Sequence, residues 1–553
     1  MRKLINITLL AVLFLGVNSI NAQKGKKKKK QKQKKVQVDP TAKIDLQNLP
    51  FPTGGKDWEI DYSKNWESLQ KREIPEWMID AKFGVYTHWG VYSVPAKGGP
   101  DYVNEMYMVH DKDDRKGVKK YHRENYGTEA EFGYKDFIPM FTADKFDANE
   151  WAGIMKGAGA KFGGICVVHH DGFCLWDSKA TRWNSKNMGP KRDIFGEIST
   201  AVRKQDMKVL ATFHHARTFG YAIDRKHYKE YTDYQKENWD LFDPKYADFY
   251  RNDFTEKQES FGNEWFLKVR EVMDQYKPDM LWFDGLSGAM IKGMLPEERV
   301  INMFNDFYKQ GKNNVISNKL PGSGVWNFPR GVGIRCYEGG RDMEPNPKGY
   351  WLVDRAISYP WSWVKNKSYR DKEDFHIRTI IDVVSRGGVY LLSLTPKGDG
   401  SISEQEQKIM KGIGTWMDTN GEAIFETRKW RTHGSGQANI VQVKFDKELV
   451  WWDFRRIQDK EVRYTRKKDN SAVYAIATGW KENGSILLKE LNSKEKFAKN
   501  GIKDIVMLGV DEKLKWKRTN EGIIIDYPTA KPGEHAYTFK IIPNGDLIDF
   551  DRE

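Results

Sequence analysis

Between about residues 75 and 400 the chain alternates short apolar runs with longer amphipathic stretches. The runs read "KFGVYTHWGV", "FGGICVVHHDGF", "KVLATFHHA", "DMLWFDG", "NNVISNKL", "GIRCYEGG" and "VYLLSLTP". Their lengths and their β-branched and aromatic content predict strands. The stretches between them, such as "ANEWAGIMKGAGAK" and "DFHIRTIIDVVSRGG", carry apolar residues at helical spacing, and the second closes on a glycine pair suited to a left-handed cap. Strands alternating with helices over some 330 residues predict parallel β/α units closed into a barrel.

Past about residue 428 the texture changes. Short alternating segments, including "NIVQVKF", "LVWWDF", "AVYAIAT", "SILLKEL" and "AYTFKII", are separated by Gly, Asn and Pro. They predict a separate antiparallel β-sandwich over 428–553, leaving 46–427 to the barrel. In "WWDF", Trp451 and Trp452 alternate faces, so one ring is expected in the core.

The N-terminus departs from both patterns. Arg2 and Lys3 precede an apolar run from Ile5 to Val17 and a small residue at Ala22. The run is too short to span a bilayer, so residues 1–22 are expected to be a cleaved export signal, giving a secreted or periplasmic protein. The segment 23–45 contains "KGKKKKKQKQKK", Lys24 to Lys35, whose polarity predicts disorder. Nine lysines in that run, with Arg2 and Lys3, supply 11 of the formal net charge of +14. The remainder is nearly balanced, so the basic total does not argue for nucleic acid. No later stretch is long and apolar enough for a membrane span. Three cysteines, Cys166, Cys174 and Cys336, are too few for a disulfide framework and fit no zinc motif.

Polar and aromatic residues gather at the C-terminal end of nearly every predicted strand, and in a barrel those ends share the rim that carries active sites. They are His88 with Trp89, Glu105, His169 with His170 and Asp171, His214 with His215, Trp282 with Asp284, and Glu338. Such a set predicts a convergent polar pocket, with tryptophans suited to the apolar face of a sugar ring. Two carboxylates flanking a glycosidic bond are the usual equipment for its hydrolysis.

The stretches "KFGVYTHWGVYSVPA", "AGAKFGGICVVHHDGFCLWDSK", "GPKRDIFGEI", "KPDMLWFDG", "DVVSRGGVYLLSLTPKGDG" and "WMDTNGEAIFETRKW", in order over about 75–431, resemble glycoside hydrolase family 29, the α-L-fucosidases. The resemblance implies an imperfect (β/α)8 barrel with a C-terminal sandwich, acting by retention on terminal α-L-fucosyl residues of a glycan or fucan without metal or cofactor. It implies Asp284 as the nucleophile. It places the acid/base about one β/α unit later, where Glu338 is the expected residue and Glu344 the alternative. His88, His169 and His170 match histidines that bind fucose hydroxyls, Glu105 a pocket glutamate, and Trp282 an aromatic beside the nucleophile. Trp89 and His214 complete the expected substrate-binding set.

This chain departs from the family around that set. It has "FHHAR" for a Tyr-rich strand end, "SNK" where an arginine usually stands, so that Lys319 offers a point charge, and "GGVYLLS" for "GGNLLLN". Arg335, Arg341, Lys348 and Arg355 put further cations near the expected mouth, which suits sulfated fucose. Two other readings use the same residues: a fucose-binding relative without catalysis, and a metal-dependent hydrolase. Adjacent histidines on one strand point to opposite faces, which disfavours the second.

Overall fold

The computed structural model describes residues 64–252, 259–284, 294–320, 328–341, 343, 347–435, 440–442, 450–457, 459, 461–480 and 484–548. The expected export signal, the lysine-rich segment and Glu344 lie outside the described residues.

Eight parallel strands close into a barrel in chain order: β1 (Phe83–Thr87), β2 (Phe162–Val168), β3 (Lys208–Phe213), β4 (Met280–Phe283), β5 (Val315–Leu320), β6 (Ile334–Glu338), β7 (Trp351–Ala356) and β8 (Gly388–Leu394). Seven of them coincide with the apolar runs. The eighth, β7, reads "WLVDRA", and its two charges disguise it as loop. Arg355 was expected among the cations near the mouth. It is instead a buried strand residue whose guanidinium pairs with Asp371 at 2.8 Å.

Strand alternation decides what each side chain faces. In β4, Met280 and Trp282 belong to the apolar cluster inside the barrel, whereas Leu281 and Phe283 pack outward with the helical layer. The same parity turns Tyr86, Leu210, Val315, Ile334, Cys336, Leu352, Val389 and Leu391 inward. Continued to the strand ends, it brings His88, His214, Asp284, Lys319, Glu338 and Asp354 to one cavity.

The helices read from the sequence are present, at Ala148–Gly157 and Glu373–Ser385. The first is capped by Asp147, whose side chain accepts from the N–H groups of Asn149 and Glu150. The second ends ahead of Gly387, at φ +84°.

Beyond the barrel, strands Thr427–Ser435, Val462–Lys467, Val473–Ala477, Tyr537–Pro543 and Ile502–Met507 form a five-stranded antiparallel sheet. Ser485–Leu488, Ile523–Asp526 and Trp516–Arg518 form a three-stranded one. Tyr464, Val473, Phe539 and Ile541 of the first share a core with Leu488, Ile523 and Ile525 of the second, which makes a sandwich. A separate ribbon, Ile440–Gln442 with Val450–Trp452, reaches back to the barrel. There the Trp452 N–H donates to Gly340 O at 2.9 Å, and the buried Trp452 ring meets Trp351 edge-on at 5.2 Å. Trp452 is thus the core ring of the pair.

Candidate active site

The C-terminal ends of the barrel strands surround a cavity of about 850 Å³. Of the expected residues, Asp284, Glu338, His88, His169, His170, His214 and Trp282 line it. Trp89 and Glu105 do not. Trp89 follows His88 and so faces away from the barrel axis; its indole N–H donates to Lys397 O at 2.6 Å, and its ring packs on Phe141, Trp151 and Phe146. The same alternation turns His215 outward onto Trp265. Glu105, on the short helix Tyr102–Met106, spends one oxygen on Lys116 at 3.1 Å. It is Asp101 and Lys116, paired at 2.7 Å, that reach the cavity wall.

Asp284 sits directly after β4, with its N–H donating to Phe213 O at 2.8 Å. The side chain of Lys319, on β5, is 5% exposed. Its ammonium hydrogen-bonds Asp284 Oδ1 and lies 3.0 Å from Glu338 Oε2. The same ammonium is 4.9 Å from the Trp282 ring centre. One cation therefore joins the carboxylates of β4 and β6.

The electrostatics follow from this arrangement. Burial alone would raise the pKa of Asp284, but the adjacent Lys319, aided by His170 and Arg217, lowers it to about 2. Burial likewise opposes the charge on Lys319, yet Asp284, Glu338 and Asp354 hold it protonated. Burial lowers His88 to about 3 and His170 to about 4, and carries His169 and His214 well below the usual histidine range. Near neutral pH these four rings are uncharged, each with one donor and one acceptor nitrogen. His170 Nε2 stands 3.6 Å from Asp284 Oδ2, while its Nδ1 is 2.7 Å from His214 O. His88 Nδ1 is 2.8 Å from Ser393 Oγ, and His214 Nδ1 is 3.1 Å from Cys166 Sγ.

Asp354 was missed together with its strand. It is 1% exposed, opposite Glu338 in the β6–β7 register, and receives the Cys336 thiol at 3.3 Å. Its Oδ2 has no hydrogen-bond partner among the described residues. Burial raises its pKa to about 7, with Lys319 pulling down and Glu338 pushing up. The signal that points to it is "WLVD", an apolar run ending on an acid as in "LWFD".

Inward strand ends that gather paired carboxylates, neutral imidazoles and a tryptophan on a (β/α)8 barrel define a glycoside hydrolase. The profile of the α-L-fucosidase family matches residues 54–422, and that of the α-L-fucosidase C-terminal domain matches 456–542. The chain belongs to the α-L-fucosidase family. It is 31% identical over 506 residues to the tissue α-L-fucosidase of Mus musculus, covering 87% of this chain and 94% of the relative. It is 31% identical to the Homo sapiens tissue enzyme, covering 87% and 91%. The Thermotoga maritima α-fucosidase solved with fucose superposes with a TM-score of 0.65 at 25% identity, over 86% of this chain and 99% of that one.

Proposed function

We propose that this protein is an exo-acting, retaining α-L-fucosidase that releases terminal α-L-fucosyl residues from oligo- or polysaccharides. Asp284 attacks the anomeric carbon while Glu338 donates a proton to the departing glycosidic oxygen. Glu338 then takes a proton from the water that hydrolyses the fucosyl–Asp284 ester. His88, His169, His170 and His214 serve the sugar hydroxyls, and Trp282 its apolar face.

The observation that carries this reading is the shared contact of Lys319 with Asp284 and Glu338. Two oxygens bonded to one ammonium lie no more than about 6 Å apart. Nearest oxygens this close are compatible with the carboxyl separation of about 5–5.5 Å that retention requires.

The test is turnover of aryl α-L-fucosides by Asp284→Gly and Glu338→Ala with added azide. Both should be slow and both rescued, Asp284→Gly giving β-L-fucosyl azide and Glu338→Ala the α anomer. Full activity of Glu338→Ala together with loss in Glu344→Ala would move the acid/base role to Glu344.

Substrate sulfation is the finer part of the proposal. Lys97, Lys116, Arg217, Arg341 and Lys365 line the cavity, and such cations suit sulfate esters on fucose or its neighbours. Faster turnover of sulfated than of unsulfated fuco-oligosaccharides is expected, and equal rates would remove sulfate from the reading. Export through residues 1–22 is proposed alongside; among the described residues no helix is long and apolar enough to cross a membrane.

A further inference from the structure

Away from the cavity, His110, His227 and Glu230 converge from two separate segments. One ligand atom from each lies within 4.8 Å of the others. His110 Nε2 is 2.7 Å from Glu230 Oε2, and the two imidazole rings are 4.6 Å apart, edge to face. Behind them stands Asp224, whose Oδ2 faces His227 Nδ1 at 3.0 Å and accepts from the Val109 N–H at 3.3 Å. Asp113 Oδ2 lies 3.8 Å from His227 Nδ1 and is buried with no hydrogen-bond partner among the described residues.

A lone surface His–Glu pair has little energetic consequence and needs no such backing. Here a buried carboxylate holds Nδ1–H of His227, which fixes the tautomer and leaves a lone pair on Nε2. That carboxylate–histidine arrangement is how proteins orient an imidazole that binds a metal. Two imidazoles and a carboxylate suit a divalent first-row transition ion. Tetrahedral zinc, with bonds of about 2.0–2.1 Å, needs ligand atoms roughly 3.3 Å apart, within reach of small side-chain rotations here.

We propose that His110, His227 and Glu230 form a divalent transition-metal site, oriented by Asp224, that staples the loop after Met106 to the segment 221–231. The two are already joined by Tyr231 Oη–H to Tyr107 O at 2.7 Å, and the helix before that loop adds Asn104 Nδ2–H to Tyr221 O at 2.8 Å. Tyr221 in turn donates to Asp101 in the cavity wall. The ion would therefore stiffen one side of the mouth without touching the reacting groups.

The experiment uses the full chain after chelator treatment, titrated with Zn²⁺ by calorimetry and with Co²⁺ by visible absorption. One equivalent should bind, raising the melting temperature. His110→Ala and His227→Ala should abolish binding, and Asp224→Asn should weaken it about 10–100-fold. Glu230→Gln, at a position whose side chain is 52% exposed and tolerant of folding, should also weaken it. His88, His169 and His214 form a second convergent set, so His214→Phe is the control and should bind as wild type. Absence of saturable binding, or binding that survives Glu230→Gln and His227→Ala unchanged, would overturn the proposal. So would its loss in His214→Phe alone.

Discussion

Lys319 Nζ lies 3.0 Å from Glu338 Oε2. Because the same ammonium also hydrogen-bonds Asp284, the two carboxylates assigned opposite roles share one buried cation. Lysine supplies this as a compact charge, where an arginine would present a planar fork.

Removing that charge should reach Asp284, the proposed nucleophile, first. Lys319→Met leaves Asp284 buried with its principal counter-charge gone, so its pKa should rise from about 2, by about 1–3 units. The acid limb of kcat/KM, measured from pH 3 to 8 on an aryl fucoside, should move to higher pH. Lys319→Arg should move it far less. An unmoved limb in Lys319→Met would separate Lys319 from control of Asp284.

Asp354 gives a prediction of the opposite sign. With a pKa raised to about 7, it is protonated in mildly acid solution and ionises as pH rises through neutrality, adding charge beside Glu338. Asp354→Asn mimics the protonated form. It should retain near wild-type rates below about pH 6 and lose whatever part of the alkaline decline belongs to this ionisation. A collapse of kcat at pH 5 would show that the carboxyl itself is required.

The buried histidines predict acid lability. His88 and His170 titrate at about 3 and about 4 in the folded chain, and His169 and His214 are lowered as well. Their pKa values in the unfolded chain are near 6.5, so below that pH the unfolded state binds more protons and gains ground. Stability is full above about 6.5 and falls as pH drops toward 4, by about 1.4 kcal/mol per pH unit per ring. Asp354, raised to about 7, and Asp171, raised to about 6, oppose this, but burial also lowers His122, His376 and His433, to about 4, about 3 and about 4. Melting temperature against pH checks the slope, and His214→Phe should make it shallower.

Gly340 links the ribbon Ile440–Gln442 with Val450–Trp452, and Phe454 just beyond it, to the loop after Glu338. It has φ +77°, and a Cβ there would meet the Phe454 ring at 2.8 Å and Trp452 O at 2.9 Å. Gly340→Ala should therefore destabilise by more than about 1 kcal/mol and lower kcat/KM by displacing Glu338. Thermal melts and kinetics on the same preparation test both, and a variant with unchanged kcat/KM would free Glu338 from this brace.

Much of this protein is legible residue by residue. Apolar runs placed seven of eight strands, because a strand buried on both faces must be apolar along most of its length. The run "MLWF" also fixes the inward parity of Asp284, since alternation leaves that position no other face. Strand β7 escaped because Asp354 and Arg355 interrupt its apolar pattern, and what tolerates them is tertiary: Asp371 across from Arg355, and the cavity beside Asp354. The same holds for the adjacent pairs His88–Trp89 and His214–His215. Composition cannot say which member of each faces the cavity, but barrel closure does. The chain alone thus determined the class of fold, the strand ends and the nucleophile candidate, all products of local periodicity. Only the tertiary structure decided that Lys319 bridges Asp284 and Glu338, that Asp354 joins them, and that Trp89 does not. Those contacts span strands separated by tens of residues, and a sequence carries no distance between them.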